Sequence, residues 1–381
     1  MTALTVPAPR LQQVRNLTPF GHLQYDKMGP GRRFSDVVIV CASFVLAAGR
    51  LQAAPVHRGP VFADVAWDAA HPALSSLRAA TDLVLVKPEA DVFITGSARA
   101  RNWTPQREWH ATLEVLRGDV RLLQKSLRLT GPRGWHWHDD PAQCTPTDPE
   151  PTLEVPLRWE LAFGGCWHDE GDAPGSPPRM NAANPSGLGC FGTAGGDAAS
   201  PAPRIEAADA PVVHANQEGL APAGFGPIAR HWAPRVQLAG TYDDAWLQRN
   251  AQAPFMDYAD DFDPRFFQYA PADQRIAGGL AGDERLRLTG FFASADAIET
   301  ALPAWRIAAR WRSGDGSQGS EAMTLDTVHV DLDDMLVHLT WRLSLDQTRD
   351  VEAIDLHLDA LDNADRGHGH GHSAHDTRTY A

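Results

Sequence analysis

Residues 34–46 read FSDVVIVCASFVL, and this stretch decides the fold class. Val and Ile dominate it, the polar/apolar alternation of a one-sided strand is missing, and it is too short for most buried helices. It therefore predicts a β-strand buried on both faces. Ala47-Ala48-Gly49-Arg50 then reads as a turn, with a return beginning at Leu51. Further along, residues 80–94 hold two apolar runs broken at Lys87-Pro88. Residues 107–116 and 120–129 form a predicted hairpin across Arg117-Gly118-Asp119. Residues 152–163, TLEVPLRWELAF, predict another strand, with Pro156 marking an edge or a bulge. Strands return at 284–292 and 305–311, and residues 313–320 form a turn. Residues 325–345 predict a hairpin turning at Asp333-Asp334, with Val328, Val330, Leu332, Leu336, Leu339 and Trp341 facing inward. Residues 351–361 fit a strand or a short helix equally well.

Composition agrees with this pattern. The chain has 381 residues, 43% apolar and 22% charged, with 32 Gly and 29 Pro. Those values suit a globular protein with many turns and irregular loops. The expected fold is mainly β: a large antiparallel sheet or sandwich-like domain with long irregular Gly/Pro-rich insertions and few short helices. One domain is expected over 1–362, with an irregular insertion at about 164–220. A disordered His-rich tail is expected over 363–381. The net charge of -14 argues against nucleic acid or an anionic membrane as partner, since both need a concentrated basic field. Cys41, Cys144, Cys166 and Cys190 stand far apart and include no CxxC pair, which suits free thiols. The N-terminal residues lack an apolar signal core, and no apolar run reaches the ~20 residues of a membrane span. A cytoplasmic location is the expectation.

Chemistry-bearing residues are sparse. His368, His370, His372 and His375 crowd the tail, but a mobile peptide lacks the outer hydrogen bonds that orient metal ligands. His136 and His138 stand at strand spacing, and Cys166 and His168 form a second pair; neither spacing matches a standard zinc site. No GxSxG elbow, P-loop or dinucleotide GxGxxG is present. The sequence therefore predicts no catalytic constellation, no metal and no cofactor. The competing reading is a metal- or Cys-dependent hydrolase using Cys166, His168 and the nearby acids.

Residues 222–274 are the most distinctive segment, including PAGFGPIARHWAPRVQLAGTYDDAWLQRN and DFDPRFFQYAPADQ. Gly224 and Gly226 around Phe225, followed by Pro227, predict a preset backbone bend. Arg235 is expected to lock it through Asp243 or Asp263. Most of the aromatic residues read as core, although aromatics and Arg also anchor interfaces.

These motifs carry a resemblance. The chain resembles a domain-of-unknown-function family whose members accompany bacterial type VI secretion genes and act as effector adaptors. The matching pieces run from Asn16-Leu17-Thr18-Pro19-Phe20 through FSDVVIVCASFVL, LRLTGPRGW, VPLRWELAFGG and the 222–274 segment to GDERLRLTGFF and LTWR. The resemblance implies an adaptor or chaperone, without enzymatic activity, that binds a toxic effector and helps load it onto the VgrG/PAAR spike. A structural component that travels with the spike is the remaining alternative. The motif positions carried over as possible partner-binding residues are Gly224, Phe225, Gly226, Pro227, Trp232, Pro234, Arg235, Tyr242, Asp243 and Trp246, then Asp263, Phe266, Phe267, Pro271, Asp273 and Gln274.

Overall fold

Phe34–Val45 is an inner strand of a seven-stranded sheet in a computed structural model that describes residues 13–138, 143–192, 195–196 and 199–360. The sheet runs Gly21–Met28, Phe34–Val45, Leu336–Asp346, Thr324–Asp331, Glu89–Thr95, Arg275–Ala277, and the short Gln52–Ala53 returns onto the end of Phe34–Val45. Its pairings are antiparallel except that of Glu89–Thr95 with Thr324–Asp331. Both faces of Phe34–Val45 are covered, as expected. Val38, Val40, Ala42 and Phe44 enter the main core. Val37, Ile39 and Cys41 form a separate cluster closed by Leu23, Tyr25 and Leu85.

The 325–345 hairpin is present, and the Asp331 carboxylate accepts the Asp333 and Asp334 amides at its turn. Val328, Val330, Leu332, Leu339 and Trp341 face the core. Leu336 does not: the second arm buries Val337, Leu339, Trp341, Leu343 and Leu345, which leaves Leu336 on the opposite parity with His338, Thr340 and Arg342. A period of two permits only one parity on each face.

A second sheet orders Ile205–Ala207, Val120–Thr130, Glu108–Arg117, Arg285–Thr289, Ala297–Ala301 and Gly49–Arg50. Its central hairpin turns at Gly118, whose φ of 59° suits glycine. A third sheet orders Gln13–Asn16, Val351–Ala360, Trp305–Ser313 and Gln318–Ala322, so the ambiguous 351–361 segment is a strand. The main core draws side chains from all three sheets. Phe20 joins two of them, stacking on Trp305 at 5.5 Å and on Trp341 at 6.5 Å. The fold is mainly β, and Asp244–Asn250 is the only α-helix among the described residues. No helix among them is long and apolar enough to cross a membrane.

One apolar run forms no strand, and one predicted strand is broken into pieces. Residues 80–86, buried at Ala80, Thr81, Asp82 and Val84, form no strand because side chains take the place of a ladder. Tyr269 Oη donates to Thr81 O, and both Tyr25 Oη and Arg342 Nη1 donate to Asp82 O and Val84 O. In 152–163 only Glu154–Pro156 is extended before a 3-10 turn, Trp159–Leu161, and the short strand Phe163–Gly164. The 164–220 region is irregular with short paired pieces. It packs on its own small cluster around Trp135, Cys144, Phe163, Ala202, Val212 and Ala215. Asn184, fully buried, ties it down by donating to Trp159 O (2.7 Å) and Phe163 O (3.0 Å). Gly164, at φ +146°, is required there: a Cβ would lie 2.2 Å from Asn184 O. The tail 363–381, with its histidines, lies outside the described residues.

Candidate functional site

The 222–274 segment divides into a buried frame and an exposed groove. The frame begins at Gly224, where a Cβ would press to 3.1 Å from the Trp159 ring. Phe225, buried, packs 5.3 Å from Phe291, and its carbonyl accepts from Ile94 N and Gln274 Nε2. Gln274 Nε2 also donates to Val92 O at 2.8 Å, bolting the segment to the central sheet. Beyond the buried Gly226, Pro227 O accepts from Trp159 Nε1. Trp232 is buried, with Nε1 donating to Ala73 O, and Pro234 follows a cis peptide bond. Phe267 and Pro271 are buried, and Phe266 packs partly exposed beside them. Asp273 is exposed and holds Lys125 at 2.9 Å.

Arg235 departs from expectation. It is buried and makes no bond to Asp243 or Asp263. Its guanidinium donates to Ile228 O (2.6 Å) and twice to Phe266 O (3.2 and 3.0 Å), between the Phe266 and Tyr269 rings. The side chain is thus a cross-brace that satisfies loop carbonyls no ladder could reach. Burial pushes its pKa down to about 10. Asp243 instead caps the helix, accepting Trp246 N at 2.7 Å, and Asp263 accepts Arg265 N and pairs with Arg265.

Beneath this frame lies a buried polar layer that pattern reading did not single out. Asp91, fully buried, accepts from Lys87 Nζ (2.8 Å), Gln268 Nε2 (2.8 Å), Tyr269 N (2.9 Å) and Ala270 N (3.3 Å). Lys87 Nζ also donates to Thr327 Oγ1 and sits 3.4 Å from the centre of the Tyr269 ring. Its pKa is lowered by burial, which Asp91 opposes. Thr327 hands on to Asp326, which Arg342 Nε reaches at 2.6 Å. On the same face His329 bonds Thr95 Oγ1 and Arg58 Nη1, while His338, opposite it in register, bonds Ser43 Oγ. Burial drives both imidazoles to lower pKa, His338 to about 3, with Arg58 adding to each. The signal was present in the sequence: charged and imidazole residues recur at every second position of otherwise apolar strands. Each charge in the layer is paired or hydrogen-bonded, Arg342 Nη2 alone being left over, and the bonds join the central sheet to the 268–270 loop.

The groove forms where the segment leaves the frame. Asp243 starts the Asp244–Asn250 helix, and Asn250 closes it, Nδ2 donating to Trp246 O while Oδ1 accepts Asp257 N and Arg32 Nη2. Trp246 is half-buried, its Nε1 donating to Asp257 O at 3.1 Å, and Tyr242, half exposed, stands edge-on to it at 4.8 Å. With Met256 and Tyr258 across the gap, and Lys27 and Met28 from the end of the edge strand, they enclose a groove of about 420 Å³. Met256 is 58% exposed and Leu247 49%, and Phe255 lies nearby against Phe34. Of the sixteen motif positions, then, only Tyr242 and Trp246 line this opening, Asp243 caps the helix that carries Trp246, and most of the others build its support.

The hydrolase residues do not form a cluster of that kind. Cys166 is exposed on the strand pairing Cys166–Trp167 with Arg179–Met180. His168 Nδ1 stands 4.0 Å from Asp172, whose carboxylate and that of Asp169 both engage Arg179. His136 pairs across to Thr145, and His138 N donates to the buried Cys144 Sγ. Among the described residues no three His, Cys, Asp or Glu side chains converge as metal ligands.

No curated protein and no solved structure matches this chain. Residues 32–342 do match a family described as uncharacterised proteins conserved in bacteria (DUF2169), a span that takes in the frame, most of the central sheet and the groove walls other than Lys27 and Met28. The chain therefore belongs to that bacterial family.

Proposed function

We propose that this protein is a type VI secretion adaptor: it binds a cognate toxic effector in the cytoplasm and helps load it onto the VgrG/PAAR spike. The observation that carries the reading is the exposed aromatic and methionine groove, set beside a buried frame built from the same motif segment. Tyr, Trp and Met are residues that anchor protein interfaces, and a pre-ordered support lowers the entropy lost on binding. The ordered series of motif matches from Asn16 to Leu345 supports the secretion context.

The test is a pull-down of the tagged chain from its native host, with and without active secretion. The expected outcome is an effector and a spike protein bound to the chain, and no tagged chain in the medium. Recovery of the chain in the medium would instead make it a component that travels with the spike. If neither effector nor spike protein is retained, the adaptor reading fails.

A further inference from the structure

The surface around the groove has a definite charge. Residues 241–265 carry six aspartates and two arginines. Arg249 pairs with Asp260 and Arg265 with Asp263. Three other carboxylates are held by N–H and O–H groups rather than by cations. Asp243 takes the Trp246 amide, Asp257 those of Gly31, Arg32 and Tyr258, and Asp261 the amide and hydroxyl of Thr241. Such bonds satisfy the oxygens and leave the negative charge in place. Asp244 adds another exposed carboxylate at the start of the helix. Against them stand Lys27, half-buried in the groove wall, and Arg32, whose guanidinium is held by the neutral Asn250 Oδ1 and Phe255 O; with Arg249 and Arg265 that makes four cations to six carboxylates, so the balance stays acidic.

The groove is also continuous with open backbone. Gly21–Met28 is the terminal strand of the seven-stranded sheet and, among the described residues, pairs on one side only, with Phe34–Val45. Its last residues, Lys27 and Met28, are walls of the groove. The end of that edge therefore lies at the groove.

The geometry points to one occupant, and the inference rests on the adaptor reading: an extended segment of the partner protein in which Lys or Arg residues flank a bulky apolar side chain. The segment adds to the edge of Gly21–Met28, seats the apolar side chain between Tyr242, Trp246 and Met256, and lays its cations against the aspartates. Main-chain pairing supplies affinity, and the pocket and the charges supply selectivity.

The probe is a labelled peptide alternating Lys and Val around one central Phe, followed by fluorescence anisotropy, with a counterpart carrying Glu for Lys. The Lys peptide is expected to bind and the Glu peptide to fail, with binding weakening about tenfold at high salt. Met256→Asp adds negative charge yet removes the apolar wall, and it should weaken binding about tenfold. Asp244→Asn should weaken it a few-fold. Both sites are exposed, so unchanged melting will show that the fold is retained. Equal binding of the Glu peptide, or indifference to both substitutions, overturns the proposal. A photo-crosslinker at position 256 in the native host separates the two readings. An effector retained without a crosslink from 256 rejects this placement and leaves the adaptor role standing. Lys-peptide binding with the expected sensitivities, but no effector or spike protein retained in the host, rejects the adaptor role and leaves the groove's preference standing.

Discussion

Arg235 is a cation held by carbonyls, and this sets what its replacement will do. A lysine keeps the charge but cannot reach Ile228 O and Phe266 O together, so Arg235→Lys is expected to cost about 1.5–3 kcal/mol, read by urea unfolding. Asp91 is more exposed to substitution effects because Lys87 depends on it. Asp91→Ala leaves a fully buried ammonium without its counter-ion and should cost about 3–5 kcal/mol. The histidine pair predicts a pH dependence with a definite sign. His338 has its folded pKa pushed down to about 3, and that of His329 also lies well below the ordinary value, while the unfolded chain titrates near ~6.5. Above that pH both states are neutral and the pair contributes no pH dependence. Below it the unfolded chain takes up protons that the folded one refuses, so stability falls as pH drops toward about 3. The groups facing the pair are Arg58, Thr95 and Ser43. Melting temperature should therefore decline on acidification from neutral pH, and His338→Gln should flatten the slope; an unchanged slope would show that His338 is not the titrating group.

At the scale of elements, the Asp244–Asn250 helix is short and depends on its ends. Asp243→Ala removes the cap on Trp246 N and should cost about 1 kcal/mol. Because the same cap positions Trp246 in the groove wall, partner binding should weaken together with the loss of stability. Strands whose apolar pattern was served by neighbouring strands were legible in the sequence: Phe34–Val45, the Glu108–Arg117/Val120–Thr130 hairpin and the 325–345 hairpin. The 80–86 run has the same local pattern yet forms no strand, since Tyr25, Tyr269 and Arg342 occupy its carbonyls from distant positions. No local pattern contains those partners. The frame of the candidate site was legible in the same way, through its Gly-Phe-Gly-Pro bend. The groove was not, because its walls come from Lys27–Met28, the helix and the 256–258 loop at once.

Over the whole molecule, Phe20 is the test of how the sheets depend on one another. It lies between Trp305 of the four-stranded sheet and Phe44 and Trp341 of the central one. Phe20→Ala should cost about 3–5 kcal/mol in one cooperative transition. Two separated transitions would show that the sheets unfold independently. What the sequence by itself determined is the mainly β class, the main strand pairs and the buried aromatic frame within the 222–274 segment. Each of these is written in local periodicity and turn chemistry, which act over a few residues. Tertiary structure alone decided that Arg235 braces carbonyls, that Lys87, Asp91, Asp326 and Arg342 share a buried layer, and that an edge strand meets an acidic aromatic groove. Those outcomes depend on which distant groups arrive to satisfy a buried charge or an unpaired carbonyl, and the cost of leaving either unmet is set only when the chain has closed around it.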